Sequence, residues 1–151
     1  MTIMTTKLKF KIVTPDRVMY DGEVDQVTLP TQMGQVTIMP NHIPLISSLS
    51  AGELRIVESG TEKLLAVGGG VLEVRTDNEI VILADVAEHE EEIDLKRAEE
   101  ARERAQKIMR EKVLSDAEYA QTAAALEKSL ARIRVGSRRK HRKVHTPESI
   151  S

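Results

Sequence analysis

Cysteine and tryptophan are absent from the 151 residues, and the aromatic complement is one Phe and two Tyr. The missing cysteine excludes disulfides and thiolate metal sites, and it suits a cytosolic or cytosol-facing chain. The scarcity of rings leaves the core to Val, Ile and Leu. It also removes the stacking platforms on which single-stranded nucleic acid is bound. No apolar run approaches the ~20 residues that a helix needs to span a bilayer. The first residues, MTIMTTKLKFKIV, contain no signal-peptide core or cleavage site. The expectation is a soluble chain with no direct membrane insertion, linked to any membrane through partners. His42, His89, His141 and His145 lack the spacing of zinc ligands. With no nucleophile–base pair either, neither a metal nor catalysis is expected.

Net charge is −2, and its distribution is more informative than its size. Residues 1–87 carry 7 basic and 11 acidic groups, whereas residues 88–151 carry 15 basic and 13 acidic. Acids crowd between Glu88 and Glu103. From Lys128 onward no acid occurs until Glu148, and Lys128, Arg132, Arg134, Arg138, Arg139, Lys140, Arg142 and Lys143 fill the interval. That end would be drawn to an acidic surface.

The hydrophobic period changes near Ala87. Before it, Leu8, Phe10 and Ile12 alternate with Lys7, Lys9 and Lys11, which predicts a half-buried strand with a cationic outer face. Thr14-Pro15-Asp16 predicts a turn. Val24 to Leu29 reads as a strand ending at Pro30, and Gly34 to Met39 as a third. Ile43 to Leu49 is apolar but broken by Pro44. Two hairpins follow, turning at Ser59-Gly60 and at Thr76-Asp77-Asn78. Short strands separated by turns predict a sandwich or barrel. Gly68-Gly69-Gly70 lies between two of them without the Lys-Ser/Thr of a phosphate loop. It therefore predicts a bend or close backbone approach.

After Ala87, Ala98, Ala101, Ala105 and Ile108 recur at helical spacing, with Asp94 placed to cap the start. Ser115-Asp116-Ala117-Glu118 predicts a capping box opening a second helix. There Tyr119, Ala123, Leu126, Leu130 and Ile133 share a face. Gly136 is expected to end that helix. Residues 136–151 lack apolar periodicity and are expected to form a disordered basic tail. The two helices make an antiparallel hairpin whose seam is mostly alanine. Burying Ala stabilises far less than burying Leu, at ~1.5–3 kcal/mol, so the arm is expected to be held weakly. It reads either as an arm that opens without unfolding or as an ordinary static hairpin.

Three stretches carry a family resemblance: GQVTIMPNHIPLISSLSAGELRI from Gly34, GGGVLEVRTDNEIVILADVAE from Gly68, and IDLKRAEEARERA from Ile93. Together they resemble the epsilon subunit of bacterial F-type ATP synthases over about residues 7–135. The resemblance implies a β + α chain. Residues 1–87 would form an N-terminal flattened β-sandwich binding gamma and the c-ring. Residues 88–135 would form a C-terminal two-helix regulatory hairpin. It implies a central-rotor subunit, without catalysis of its own, in a proton-translocating enzyme. Such a subunit would sit peripherally on the cytoplasmic face of the bacterial plasma membrane. When extended toward the alpha/beta subunits, the hairpin would inhibit ATP hydrolysis.

The same resemblance assigns candidate residues. Gln35 and His42 fall at c-ring-facing positions, and Lys128, Arg132 and Arg134 at positions that would meet the beta subunit. The I-D-x-x-R-A motif of nucleotide-binding relatives is complete here as Ile93, Asp94, Arg97 and Ala98. It implies a regulatory ATP site, with no cofactor required, that also includes Glu88, Arg104, Lys128 and Arg132. Arg97 and Arg104 lie two turns apart on one helix face and can meet phosphates. Asp94 or Glu88 can accept from the adenine amino group or the ribose. Lys128 stands where such relatives usually carry Arg, and a point charge lacks the bidentate fork. The same residues also read as a helix cap and surface ion pairs worth ~0–1 kcal/mol. An alternative is a nucleic-acid-binding module that neutralises phosphates with its basic tail. The acidic first half and the absence of interleaved aromatics oppose it, and no nucleic-acid partner is expected.

Overall fold

The computed structural model describes residues 6–145, with side chains described through Arg139. Eight strands are followed by two helices. The strands are β1 (Leu8–Val13), β2 (Val18–Val24), β3 (Gln26–Thr31), β4 (Gly34–Ile38), β5 (Leu45–Glu58), β6 (Thr61–Arg75), β7 (Glu79–Ala84) and β8 (Ala87–His89). A 3₁₀ turn at Glu90–Glu92 leads into α1 (Leu95–Glu111) and α2 (Asp116–His145).

The sheet runs β2-β1-β7-β6-β5-β3-β4, with β8 also paired to β6. All pairs are antiparallel except β1 with β7. β5 and β6 are long enough for the sheet to fold over on itself as a flattened sandwich. The alternation of β1 places Leu8, Phe10 and Ile12 in the core, where they meet Val24, Val27, Leu29, Ile38, Leu54, Ile56, Leu72, Ile80 and Ile82. Phe10 and Tyr20 supply the ring contact, with centroids 5.6 Å apart. Burial of these large aliphatic side chains supplies the main stabilisation of the sandwich.

Several strands differ from the sequence expectation. β2 lies at the sheet edge, and its alternation is masked by Asp21, Gly22 and Glu23. Strand β3 continues through Pro30 because pairing to β5 shifts register between Thr28 and Thr31, so the missing amide falls where the ladder is irregular. The Pro30 ring packs on Gly52, where a Cβ would come within 2.8 Å of it. The segments around Leu49 and Leu54 are one strand, as are those around Val67 and Val71.

Glycines 68–70 mark the place where β6 changes neighbour. Leu65–Val67 pair with β8, and Gly70–Arg75 pair with β7. Gly69 and Gly70 have φ of 104° and 139°, and a Cβ on Gly70 would run into the Leu83 carbonyl oxygen. The expected close backbone approach is therefore present at this bend.

α1 packs on α2, and α2 lies across β5 and β6. The hairpin is folded down on the sandwich. The arm buries Ala98 and Ala105 of α1, as the alanine spacing predicts, together with Ser129 and Ala131 of α2. The face predicted for α2 is not the buried one, since Tyr119 is exposed and Ala123, Leu126, Leu130 and Ile133 are only partly buried. Val135, Ile93, Leu64 and Ala66 form a second apolar cluster, separate from the sandwich core. The run Leu64-Leu65-Ala66-Val67 explains the separation. Leu65 and Val67 face the core, while Leu64 and Ala66 face the arm.

Gly136 does not stop α2, which continues to His145. It is buried, and a Cβ there would come within 2.8 Å of Leu95 Cδ2 and 3.1 Å of Ile93 Cγ2. The residue is needed for close packing, not for a left-handed cap. Residues 137–145 thus extend the helix past the start of α1, correcting the expectation of disorder for that part of the tail. Residues 146–151 lie outside the described residues.

Candidate functional site

The junction between sandwich and arm gathers most of the residues singled out in the sequence. Asp94 is the N-cap of α1, and its carboxylate accepts from the Arg97 amide at 3.2 Å. This satisfies one of the amides that a helix start leaves unpaired. Ile93 is buried in the second apolar cluster, and Ala98 is fully buried in the helix seam. The motif therefore divides its labour, with Ile93 and Ala98 seating α1, Asp94 capping it, and Arg97 pointing outward. Arg97 is exposed, and its guanidinium has no hydrogen bond or ion pair among the described residues.

Leu95 against Gly136 sets the register of the antiparallel helices. At 1.5 Å per residue, Arg132 lies level with about residue 99 and Lys128 with about residue 103. Both side chains turn toward the sandwich. Arg132 Nε pairs with Glu88 Oε1 of β8 at 2.7 Å, both groups about a quarter exposed. Lys128 lays its aliphatic stem over Gly68, where a Cβ would come within 3.0–3.3 Å of it. The structure thus joins Glu88 to Arg132. No hydrogen bond or ion pair joins Asp94, Arg97 or Arg104 to Lys128 or Arg132 among the described residues. Arg104 is exposed further along α1, in an open depression of about 400 Å³ shared with Lys107, Ile108, Glu111 and Lys112. Arg134 is exposed on α2.

Two expected contact residues lie on the sandwich, at opposite ends of β4. Gln35 is exposed and paired in register with Pro30. His42 follows a tight turn in which Asn41 takes φ 68° and donates to Asn78 Oδ1 at 2.5 Å. His42 donates through its amide to the Met39 carbonyl at 3.3 Å and through Nδ1 to the Ile43 carbonyl at 2.7 Å. Ile43 beside it is three-quarters exposed. A second exposed apolar strip crosses the outer face where Ile46, Val71 and Leu83 project, Val71 and Leu83 being register partners.

Other interface contacts were not anticipated from the sequence. Glu53 on β5 is only 4% exposed and meets Arg138 Nη1 at 2.6 Å. Arg139 Nη1 donates to the carbonyls of Glu90 and Glu91 at 3.1 and 2.8 Å. Arg17 donates to Glu92 Oε2 at 2.6 Å. That hydrogen bond holds the Glu92 carboxyl below the ordinary range, against partial burial and with help from the His89 amide. The signal for a covered strand was legible, since Leu64 to Val67 is continuously apolar and so buried on both faces. Arg138 and Arg139 fall in a stretch whose composition reads as tail.

Among the described residues no cluster of three or more His, Asp or Glu could hold a metal ion, and no helix is long and apolar enough to cross a membrane.

Comparison with known proteins bears on this arrangement. The sequence profile described as "ATP synthase, Delta/Epsilon chain, beta-sandwich domain" matches residues 7–90, and that described as "ATP synthase, Delta/Epsilon chain, long alpha-helix domain" matches residues 91–136. The ATP synthase epsilon chain of Dehalococcoides mccartyi is 45% identical over 91% of this chain and 99% of its own. That of Clostridium kluyveri is 47% identical over 86% of this chain and 97% of its own. Among solved structures, a chain in the Euglena gracilis mitochondrial ATP synthase superposes with a TM-score of 0.74 at 20% identity, covering 86% of this chain and 81% of that one. The fold built above is thus the fold found there, and the sequence relationships carry the assignment further. The chain belongs to the ATP synthase delta/epsilon chain family, as an epsilon subunit of the bacterial F-type enzyme.

Proposed function

We propose that this chain is a non-catalytic rotor subunit of the central stalk, that it couples gamma to the c-ring at the cytoplasmic face of the membrane, and that its arm inhibits ATP hydrolysis when raised. The observation that carries this reading is the separation of the two apolar clusters. Lifting the arm exposes Leu64, Ala66, Ile93 and Val135 but leaves the sandwich core closed. A subunit that changes partners without unfolding needs such a division. The exposed strip of Ile46, Val71 and Leu83 supplies an apolar surface for gamma, and Gln35 with the His42–Ile43 turn supplies a polar and apolar one for c-ring loops. Exposed Arg134, with Lys128 and Arg132 released from the sandwich, would face acidic groups of the beta subunit.

The test is a truncation after Glu92, which retains β8. In the assembled enzyme, gamma binding is expected to persist and ATP hydrolysis to rise severalfold. Unchanged hydrolysis would defeat the inhibitory reading.

Regulatory ATP belongs to the same proposal. Arg97 and Arg104 have guanidiniums unpaired among the described residues of the chain, available for phosphates. Arg132 would have to exchange Glu88 for the ligand, and Lys128 would move off Gly68. Calorimetric titration of the full chain with ATP is expected to show saturable binding that is lost in Arg97→Ala. Absence of binding at millimolar ATP would reduce the motif to capping and packing.

A further inference from the structure

We propose that the part of α2 beyond Gly136 is a latch that holds the arm in its folded-down position, with Arg138 on Glu53 as its principal contact. The inference rests on the arm being able to move, as proposed above. The latch residues lie past residue 136, where the match to the family's helical domain ends.

Glu53 sits between Gly52 and Leu54 on β5, and all three are buried. Leu54 belongs to the sandwich core, so Glu53, its neighbour in an alternating strand, faces the other side, where α2 lies. Its Oε1 receives Arg138 Nη1 at 2.6 Å and Arg55 Nη2 at 3.4 Å. A buried carboxylate without a good partner is costly. With the arm down, Glu53 has a short charged hydrogen bond. With the arm raised, water reaches Glu53, which keeps the long contact to Arg55, itself shared with Glu62 at 3.4 Å. Without Arg138, docking the arm would bury that carboxylate with only the long contact. That difference between the two positions is what allows a contact to bias the equilibrium.

Arg139 acts on the hinge. Its guanidinium ties the carbonyls of Glu90 and Glu91, the turn about which the arm must pivot. The small residue at 136 lets α2 pass Leu95 and Ile93 closely enough for both arginines to reach. A helix stopping at Gly136 would present neither. Water and Arg55 take up Glu53 when the arm lifts, so release remains feasible.

The test is hydrogen exchange on the free full-length chain, comparing wild type with Arg138→Ala, Glu53→Gln and the double variant. Loss of a charge-assisted contact of this kind accelerates opening by about 10- to 100-fold. The amides of Ala131 to Val135 and of the 3₁₀ turn are expected to exchange faster by that factor in Arg138→Ala, and faster also in Glu53→Gln. Strands β1 and β7 should be unaffected, and the double variant should exchange no faster than the faster single, because both remove one contact. Arm exchange within twofold of wild type in Arg138→Ala would overturn the latch. So would acceleration spread equally over β1 and β7, which would make the pair a general stabiliser of the chain. The free chain reports arm docking alone, so a failure of the inhibitory reading in the assembled enzyme leaves this result intact.

Discussion

The sandwich and the arm are held by different chemistry. In the sandwich, Phe10, Leu29, Ile38, Leu54, Ile56 and Ile82 are all fully buried, and every strand is paired to a neighbour in one sheet. In the arm, the buried residues of the helices are mostly small, Ala98, Ala105, Ser129 and Ala131, and its attachment to the sandwich adds Ile93, Val135 and a set of ion pairs. Large apolar burial is cooperative and hard to undo locally. Small-residue seams with charged clasps give independent helices that can be released. Under the proposed function, the chain assigns permanence to one region and reversibility to the other.

The largest effect should come from the sandwich core. Leu54→Ala removes a fully buried side chain and is expected to cost about 2–5 kcal/mol. It should appear as a lower denaturant midpoint for the whole chain and for the chain truncated after Glu92. Val135→Ala removes an equally buried side chain from the smaller cluster. Two methyl groups there are worth about 1.5 kcal/mol, and the loss should fall on the arm alone. The sandwich midpoint should hold while exchange across α2 rises about tenfold. A matching fall in the sandwich midpoint would break the comparison, since the arm would then be part of one cooperative unit.

The difference between the regions also governs what was legible in the sequence. Alternation in β1 and the hairpin at Ser59-Gly60 reflect local rules, and they appear as read, with Ser59 and Gly60 at φ 50° and 80°. Half of the capping box at Ser115 appears too: its hydroxyl oxygen accepts from the Glu118 amide at 3.2 Å, while no return bond from the Ser115 amide to the Glu118 carboxylate forms among the described residues. The readings that failed depended on tertiary context. Pro30 looks like a strand end until the bulge beside it is known, and Gly136 looks like a helix stop until Leu95 is seen against it. Within the candidate site, Asp94 could be placed as a cap from spacing alone. The pairing of Glu53 with Arg138 spans 85 residues and had no periodic signal to announce it.

The smallest expected effect concerns the clasp between β-domain and hinge. Arg17 in the turn after β1 donates to Glu92 in the 3₁₀ turn, so it ties the pivot to the permanent region. Both groups are more than one-third exposed, so the pair is worth no more than ~1 kcal/mol once solvent screening is counted. Because the folded-state value of Glu92 lies below its ordinary one, its contribution is complete above the ordinary glutamate value. It is lost as pH falls through the lowered one. NMR titration of Glu92 in Arg17→Gln should return its midpoint toward the ordinary range. The variant's arm should exchange at most about fivefold faster than wild type near neutral pH, and the gap should close in acid. A gap that persists below the Glu92 midpoint would mean that Arg17 holds the hinge by packing instead. The pivot would then belong, by the comparison drawn above, with the sandwich.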